Sequence, residues 1–400
     1  MQDPHVLASL PKRSGTESFT LIEMLVTCVL LVIVLGIILT LTNQINKIWS
    51  SSNSRIQTFQ EARAGYEAMT RRLSQATLNT YYDYYQNVSG TYTLRTPANA
   101  STFVPTTYDR VSDLHFITGQ AVTLLAGSPT AITTQTQATF FQAPIGYSVT
   151  YQKLDDALNA CGYFLKFDDA ASSIPTYITA APSYKARYRY RLMEMLQPTE
   201  NLGVYSSTSV NNWFVANAAS NSRILAENVI ALVLLPKLQT TDDTSGAALA
   251  PAYNYESRIG LGATTDPNWP SASPAFPPDS FTASGIVTTG SASAGTLTST
   301  GTTVTLTRHN QLPPLMHVVM IVIDEASAVR LQGTSHTVPT AINLAGTSLF
   351  TDSTKLTNDI QSVEDICNAK TGNLTGNTMH LNYRIFSSDV IMRDAKWSNN

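Results

Sequence analysis

The sequence predicts an α+β chain: a long N-terminal helix, half membrane-spanning and half amphipathic, packed on an antiparallel β-sheet head with long irregular loops. Three observations carry this. Residues 19–41 are an apolar run in which Glu23 is the one charge, and no further charge precedes Lys47. Ile56, Phe59, Ala62, Tyr66, Met69, Leu73 and Ala76 then recur at three- and four-residue steps, the spacing of one helical stripe. Beyond about residue 80 the apolar runs shorten to strand length and are broken by loops.

The first helix divides into a membrane half, 19–46, and an amphipathic continuation, 47–79. An uncharged run of this length suffices to cross a bilayer. A carboxylate at mid-membrane costs about 2.5–3.5 kcal/mol on insertion scales, and less near the end of a span. An apolar residue would be cheaper, so Glu23 calls for a partner. A secretory signal peptide is the ordinary alternative, with an apolar stretch of roughly 7–15 residues followed by a small-x-small cleavage site. Here the run is longer, and Thr42-Asn43-Gln44-Ile45-Asn46-Lys47 offers no such site. A plain signal anchor would not need Glu23. Charge does not orient the span, because Lys12 and Arg13 on one side are matched by Lys47 and Arg55 on the other.

The stripe packs on the protein's own sheet, while Arg55, Glu61, Arg63, Glu67, Arg71 and Arg72 fall largely off it. The helix is expected to end near Leu78-Asn79, before a tyrosine cluster (Tyr81, Tyr82, Tyr84, Tyr85) that reads as cover for a core edge. Stacking on a sugar or a partner is the other reading. Strands are expected at Ser112–Thr118, Thr139–Gln142, Gly162–Phe167, Lys185–Met195, Val229–Leu235, Met316–Asp324 and Asn382–Met392. Met316 to Ile323 is apolar on both parities, as a central strand covered on both faces would be. Leu356, Ile360, Val363 and Cys367 place a short helix in Thr354–Ala369. The head spans 80–400, with a Ser/Thr/Gly/Ala/Pro-rich insertion of irregular loops at about 240–312.

A net charge of −3 and 13% charged residues give no basic face, so no nucleic acid is expected as a partner. Of three cysteines, Cys28 lies in the apolar helix as a packing residue. Cys161 and Cys367 can form a disulfide in an oxidising compartment or remain buried thiols. No catalytic motif is present: no Cys-x-x-Cys, no His-Glu-x-x-His, no Gly-x-Ser-x-Gly and no phosphate-cradling loop. His115, His309, His317 and His336 lack ligand spacing, and His317 reads as a hydrogen-bonded core histidine. No cofactor is expected. Asp155-Asp156, Asp168-Asp169, Asp242-Asp243 and Asp324-Glu325 leave calcium open, since that ion needs 6–8 converging oxygens and adjacent acids are usually solvated turns.

Lys12-Arg13-Ser14-Gly15, followed by Phe19-Thr20-Leu21-Ile22-Glu23-Met24-Leu25, resembles the processing site of type IV pilins and pseudopilins. The resemblance implies a cytoplasmic leader, residues 1–18, cut between Ser18 and Phe19 by a prepilin peptidase that also methylates the new amino group. Glu23 would then be the fifth mature residue, the one that neutralises the N-terminal ammonium of a neighbouring subunit. The family usually carries Gly where Ser18 stands. Phe59-Gln60-Glu61-Ala62-Arg63, Tyr190-Arg191-Leu192, Leu225 to Leu232 and Leu312 to Val318 look like the minor pseudopilin J and pilin-like W families. Leu73 to Tyr81, Val233 to Leu238 and Asn382 to Trp397 are most similar to the Verru_Chthon cassette protein C family.

These resemblances imply a structural, non-enzymatic subunit of a type IV pilus or type II secretion-like pseudopilus. Its partners would be other pilin-like subunits and an inner-membrane assembly platform. It would cross the inner membrane once, N-terminus cytoplasmic and head periplasmic, or stand in a cell-surface filament. An adhesin-like head binding glycan or DNA is the alternative, and a membrane-anchored periplasmic enzyme a weaker third.

Overall fold

The computed structural model describes residues 20–152, 154–205, 212–238, 249–250, 252–258, 280–284, 290–292, 295–297, 303–307, 309–333 and 335–396. Its helices are α1 Leu21–Leu73, α2 Ala121–Leu124, α3 Thr176–Thr179, α4 Asn212–Val215, α5 Glu325–Gln332 and α6 Leu356–Cys367. The chain divides into two units, Met1–Ser54 and Arg55–Asn400. The described part of the first is helix alone, and all of its residues are solvent-facing.

The second unit is built on antiparallel sheets. A six-stranded sheet runs β10-β4-β5-β6-β7-β8, with β4 Ile117–Gln120, β5 Gln137–Pro144, β6 Leu158–Asp168, β7 Arg189–Gln197, β8 Ser222–Glu227 and β10 Tyr255–Glu256. A three-stranded sheet runs β16-β15-β9, with β9 Val229–Lys237, β15 Leu315–Ile323 and β16 Tyr383–Ile391. β9 packs against β5, β6 and β7, so the core lies between the two sheets. β15 is the middle strand, and Val318 to Ile323 are buried, as their apolar run on both parities required. On the other face of the large sheet, Phe214 of α4 stacks on Phe140 with ring centroids 4.3 Å apart.

A third sheet, β2-β1-β3, holds the tyrosine cluster, with β1 Tyr81–Val88, β2 Thr91–Leu94 and β3 Thr107–Val111. Tyr85 is buried, whereas Tyr81, Tyr82 and Tyr84 are exposed, so core cover describes one tyrosine of the four. Of the expected strand Ser112–Thr118 the last two residues open β4, and residues 112–116 are a break between β3 and β4. Side chains there replace the ladder: Asn79 Oδ1 accepts from the N–H groups of Asp113 and Leu114, and Gln142 Oε1 accepts from that of His115.

Within the second unit α1 follows its stripe from Ala62 onward, with Ala62, Gly65, Tyr66, Met69 and Leu73 buried, whereas Ile56, expected on the same stripe, is exposed. The helix closes at Leu73, short of Asn79, because the next donors find other acceptors. Thr77 N–H bonds Gln142 O at 2.9 Å, and Asp394 Oδ2 accepts from Leu78 N–H and Thr77 Oγ1. Much of the 240–312 stretch lies outside the described residues. Its flanks belong to the core, with Leu249, Ala250, Tyr253, Tyr255 and Leu312 buried. Between them β11 Ser280–Ser284 pairs with β14 Thr303–Thr307, and β12 Gly290–Ala292 with β13 Gly295–Leu297.

Candidate functional site: the apolar stem and the acids of the second unit

In the first unit, α1 begins at Leu21 with Thr20 before it. Thr20 N–H and Oγ1 both donate to Glu23 Oε2 at 2.9 Å, and Glu23 N–H reaches Thr20 Oγ1 at 3.4 Å. This is a capping box: Thr at the N-cap and Glu three residues on satisfy each other's backbone donors. Glu23 thus has a partner within its own chain. The signal, Thr-x-x-Glu before an apolar run, is present in the sequence. Glu23 Oε1 has no hydrogen-bond partner among the described residues.

Other polar groups of the stem are turned inward on the helix. Thr27 Oγ1 donates to Met24 O, Thr40 Oγ1 to Gly36 O and Thr42 Oγ1 to Ile38 O, at 2.7–2.9 Å. What remains from Met24 to Leu41 is, apart from Cys28, side-chain hydrocarbon: Leu25, Leu31, Ile33, Ile37 and Leu39 are each about half exposed or more. Residues 21–46 rise about 39 Å at 1.5 Å per residue, beyond the roughly 30 Å of a bilayer's hydrocarbon core. The helix is long and apolar enough to cross a membrane. Ser18 and Phe19 lie outside the described residues.

In the second unit the acid pairs meet arginines. Asp324 caps α5 through Ser327 N–H at 2.8 Å and accepts from Arg55 Nε at 3.2 Å and Asn382 Nδ2 at 3.0 Å. Glu325 receives Arg187, Arg189 and Asn228. Asp168 receives Lys166 and Arg191. Asp155 and Asp156 are exposed, and Asp242-Asp243 lie outside the described residues. Among the described residues no three His, Cys, Asp or Glu side chains converge as a metal would require.

Cys161 on β6 and Cys367 at the end of α6 are both buried free thiols. Burial pushes the Cys161 thiol well above its usual range and that of Cys367 up to about 12, which holds both as inert thiols. His115 is fully buried, its Nδ1 accepting from Trp213 Nε1 at 3.0 Å and its Nε2 facing Glu256 Oε1 at 2.5 Å. His317 is hydrogen-bonded as expected, but by Asp389 across the β15–β16 pair at 2.6 Å, and it is partly solvent-exposed.

A cavity of about 700 Å³, for which no local sequence signal exists, is lined by Arg72, Tyr147, Val149, Asn201, Asn221 and Arg223 among others. Beside it, Glu194 of β7 is buried and accepts from Arg72 Nη1, from Arg223 Nε and Nη2, and from Tyr163 Oη. No protein-family model, curated protein or solved structure matches the chain.

Proposed function

We propose that this chain is a minor pilin-like subunit, a pseudopilin, cut and N-methylated at Phe19 by a prepilin peptidase. It would assemble with sibling subunits into a type IV pilus or type II secretion-like pseudopilus. The observation that carries this reading is the stem: a helix whose whole apolar surface is uncovered and whose one charge sits in its first turn. Such a surface needs lipid or neighbouring helices. Glu23 Oε1 is open to a second donor, and a carboxylate offers about four lone-pair sites. An ammonium from a neighbour's freed N-terminus would add a charge-assisted bond in a low-dielectric bundle, where either ion alone is costly. The subunit would sit in the inner membrane with residues 55–400 in the periplasm.

The capping box sharpens the experiment. Glu23→Gln keeps the cap, because Gln serves at that position, but removes the charge. Glu23→Ala removes both, at about 1 kcal/mol of helix stability. Both variants should still be cut and exported, as intact mass with a methylated Phe19 would report. Both should fail to co-purify with sibling subunits. Wild-type assembly by the Gln variant would reduce Glu23 to a helix cap and end the electrostatic reading.

A second reading, an adhesin-like module on a pilin stem, draws on one observation. Tyr82, Tyr84 and Tyr108 are exposed on the β1–β3 sheet, with Tyr82 and Tyr108 in edge contact at 6.0 Å.

A further inference from the structure

We infer that the cavity beside Glu194 is a binding site for an acidic saccharide, a sugar chain carrying a carboxylate. Its lining brings together Arg72 from the last turn of α1, Ser222 and Arg223 from β8, and three loops carrying Tyr147, Asn201 and Asn221. Among the described residues, Arg72 and Arg223 are the charged groups that line it, and no carboxylate does. Glu194 lies beneath and fixes both guanidinium groups without using all of their donors. Arg223 engages Nε and Nη2, and Arg72 engages Nη1. Arg223 Nη1 and Arg72 Nε and Nη2 have no partner among the described residues. Two cations sharing one buried anion leave a net positive charge facing the cavity.

Ser220 Oγ of the lining donates to Asn217 O at 3.4 Å, and three other polar side chains are unengaged. The side-chain amides of Asn201 and Asn221 make no hydrogen bond among the described residues, and Ser222 Oγ is buried with no partner. An amide both donates and accepts, which suits neighbouring hydroxyls on a sugar ring better than a bare inorganic anion. Tyr147 and Val149 supply a partly exposed aromatic and aliphatic wall against which the C–H face of a ring can lie. The volume falls within the roughly 300–1,000 Å³ usual for small-molecule sites, large enough for more than one sugar unit. Positive charge, two amides and an aromatic wall together select a hydroxylated carboxylate.

The inference does not rest on the pilin-like reading, and its test leaves the stem intact. Full-length protein in detergent micelles would be titrated with oligogalacturonate, with a neutral oligosaccharide of equal length, and with a hexapeptide rich in Asp and Glu, by calorimetry. Saturable binding of the uronate at about millimolar or better is expected, with the neutral sugar about tenfold weaker. Arg223→Gln should weaken the uronate about tenfold, the loss of one charge-assisted contact, while leaving the neutral sugar unchanged. Tyr147→Ala should weaken both sugars, and serves if the arginine variant melts early. The absence of saturable uronate binding would overturn the inference. Equal affinity in Arg223→Gln, or tighter binding of the peptide than of the sugar, would overturn it as well.

Discussion

Gly162 occupies a position where a side chain has nowhere to go. A Cβ there would fall 2.2 Å from Cδ1 of Phe140, the residue directly across the β5–β6 pair. The Phe140 ring is in turn held by its stack on Phe214. Gly162→Ala must therefore displace a ring inside a close-packed layer, and we expect a loss of about 1–3 kcal/mol in chemical unfolding. An unchanged midpoint would show that α4 yields easily. Glu23 offers the complementary lesson. Its oddity was legible in the sequence as a charge in an apolar run, and so was its nearest partner, Thr20, three residues earlier. The charge alone points to another molecule, whereas the Thr-x-x-Glu spacing points to the chain's own helix start. Cys161 and Cys367 were undecidable from the sequence, which carries no distance between residues so far apart.

At the scale of elements, the second-unit part of α1 is held at two points by a cation on a buried acid, Arg55 on Asp324 and Arg72 on Glu194. Between them Gly65 lets the backbone approach β8, where a Cβ would meet Leu225 O at 3.0 Å. The buried stripe was legible because apolar spacing is local. Its pinning was not, since each acid lies more than a hundred residues away. Strands β5, β6, β7, β9, β15 and β16 were legible as apolar runs. β1 to β3 were not, because tyrosine, threonine and asparagine carry little core pattern.

The start of α5 gives a pH dependence. Burial alone would raise the Glu325 carboxyl, but hydrogen bonds from Asn228 and Arg189 and the charges of Arg189 and Arg187 outweigh it and hold the group below its usual 4.5. A carboxylate lowered on folding stabilises above its unfolded pKa, and that contribution is lost as pH falls through the folded value. Glu325→Gln should therefore melt below wild type at pH 7, and the gap should narrow as pH drops under about 4.5. A gap constant with pH would assign the difference to packing rather than charge.

At the scale of the molecule, the core and its buried ion pairs lie in the unit that begins at Arg55. A chain starting at Arg55 should fold in water without detergent and melt in one cooperative step, checked by calorimetry and circular dichroism. Aggregation or a gradual melt would mean that the core depends on residues before 55. The stem was legible in the sequence because its signal is one continuous composition. The cavity was not, because its lining comes from four stretches that only the folded chain brings together. The inward-turned threonines have one further bearing. From Met24 to Leu41 the surface this helix would offer a neighbour is chiefly shape, the bumps of leucine and isoleucine and a single dent at Gly36. A neighbouring helix slid along it by one turn would meet much the same surface except at Gly36 and at Glu23, the two positions able to mark an axial register.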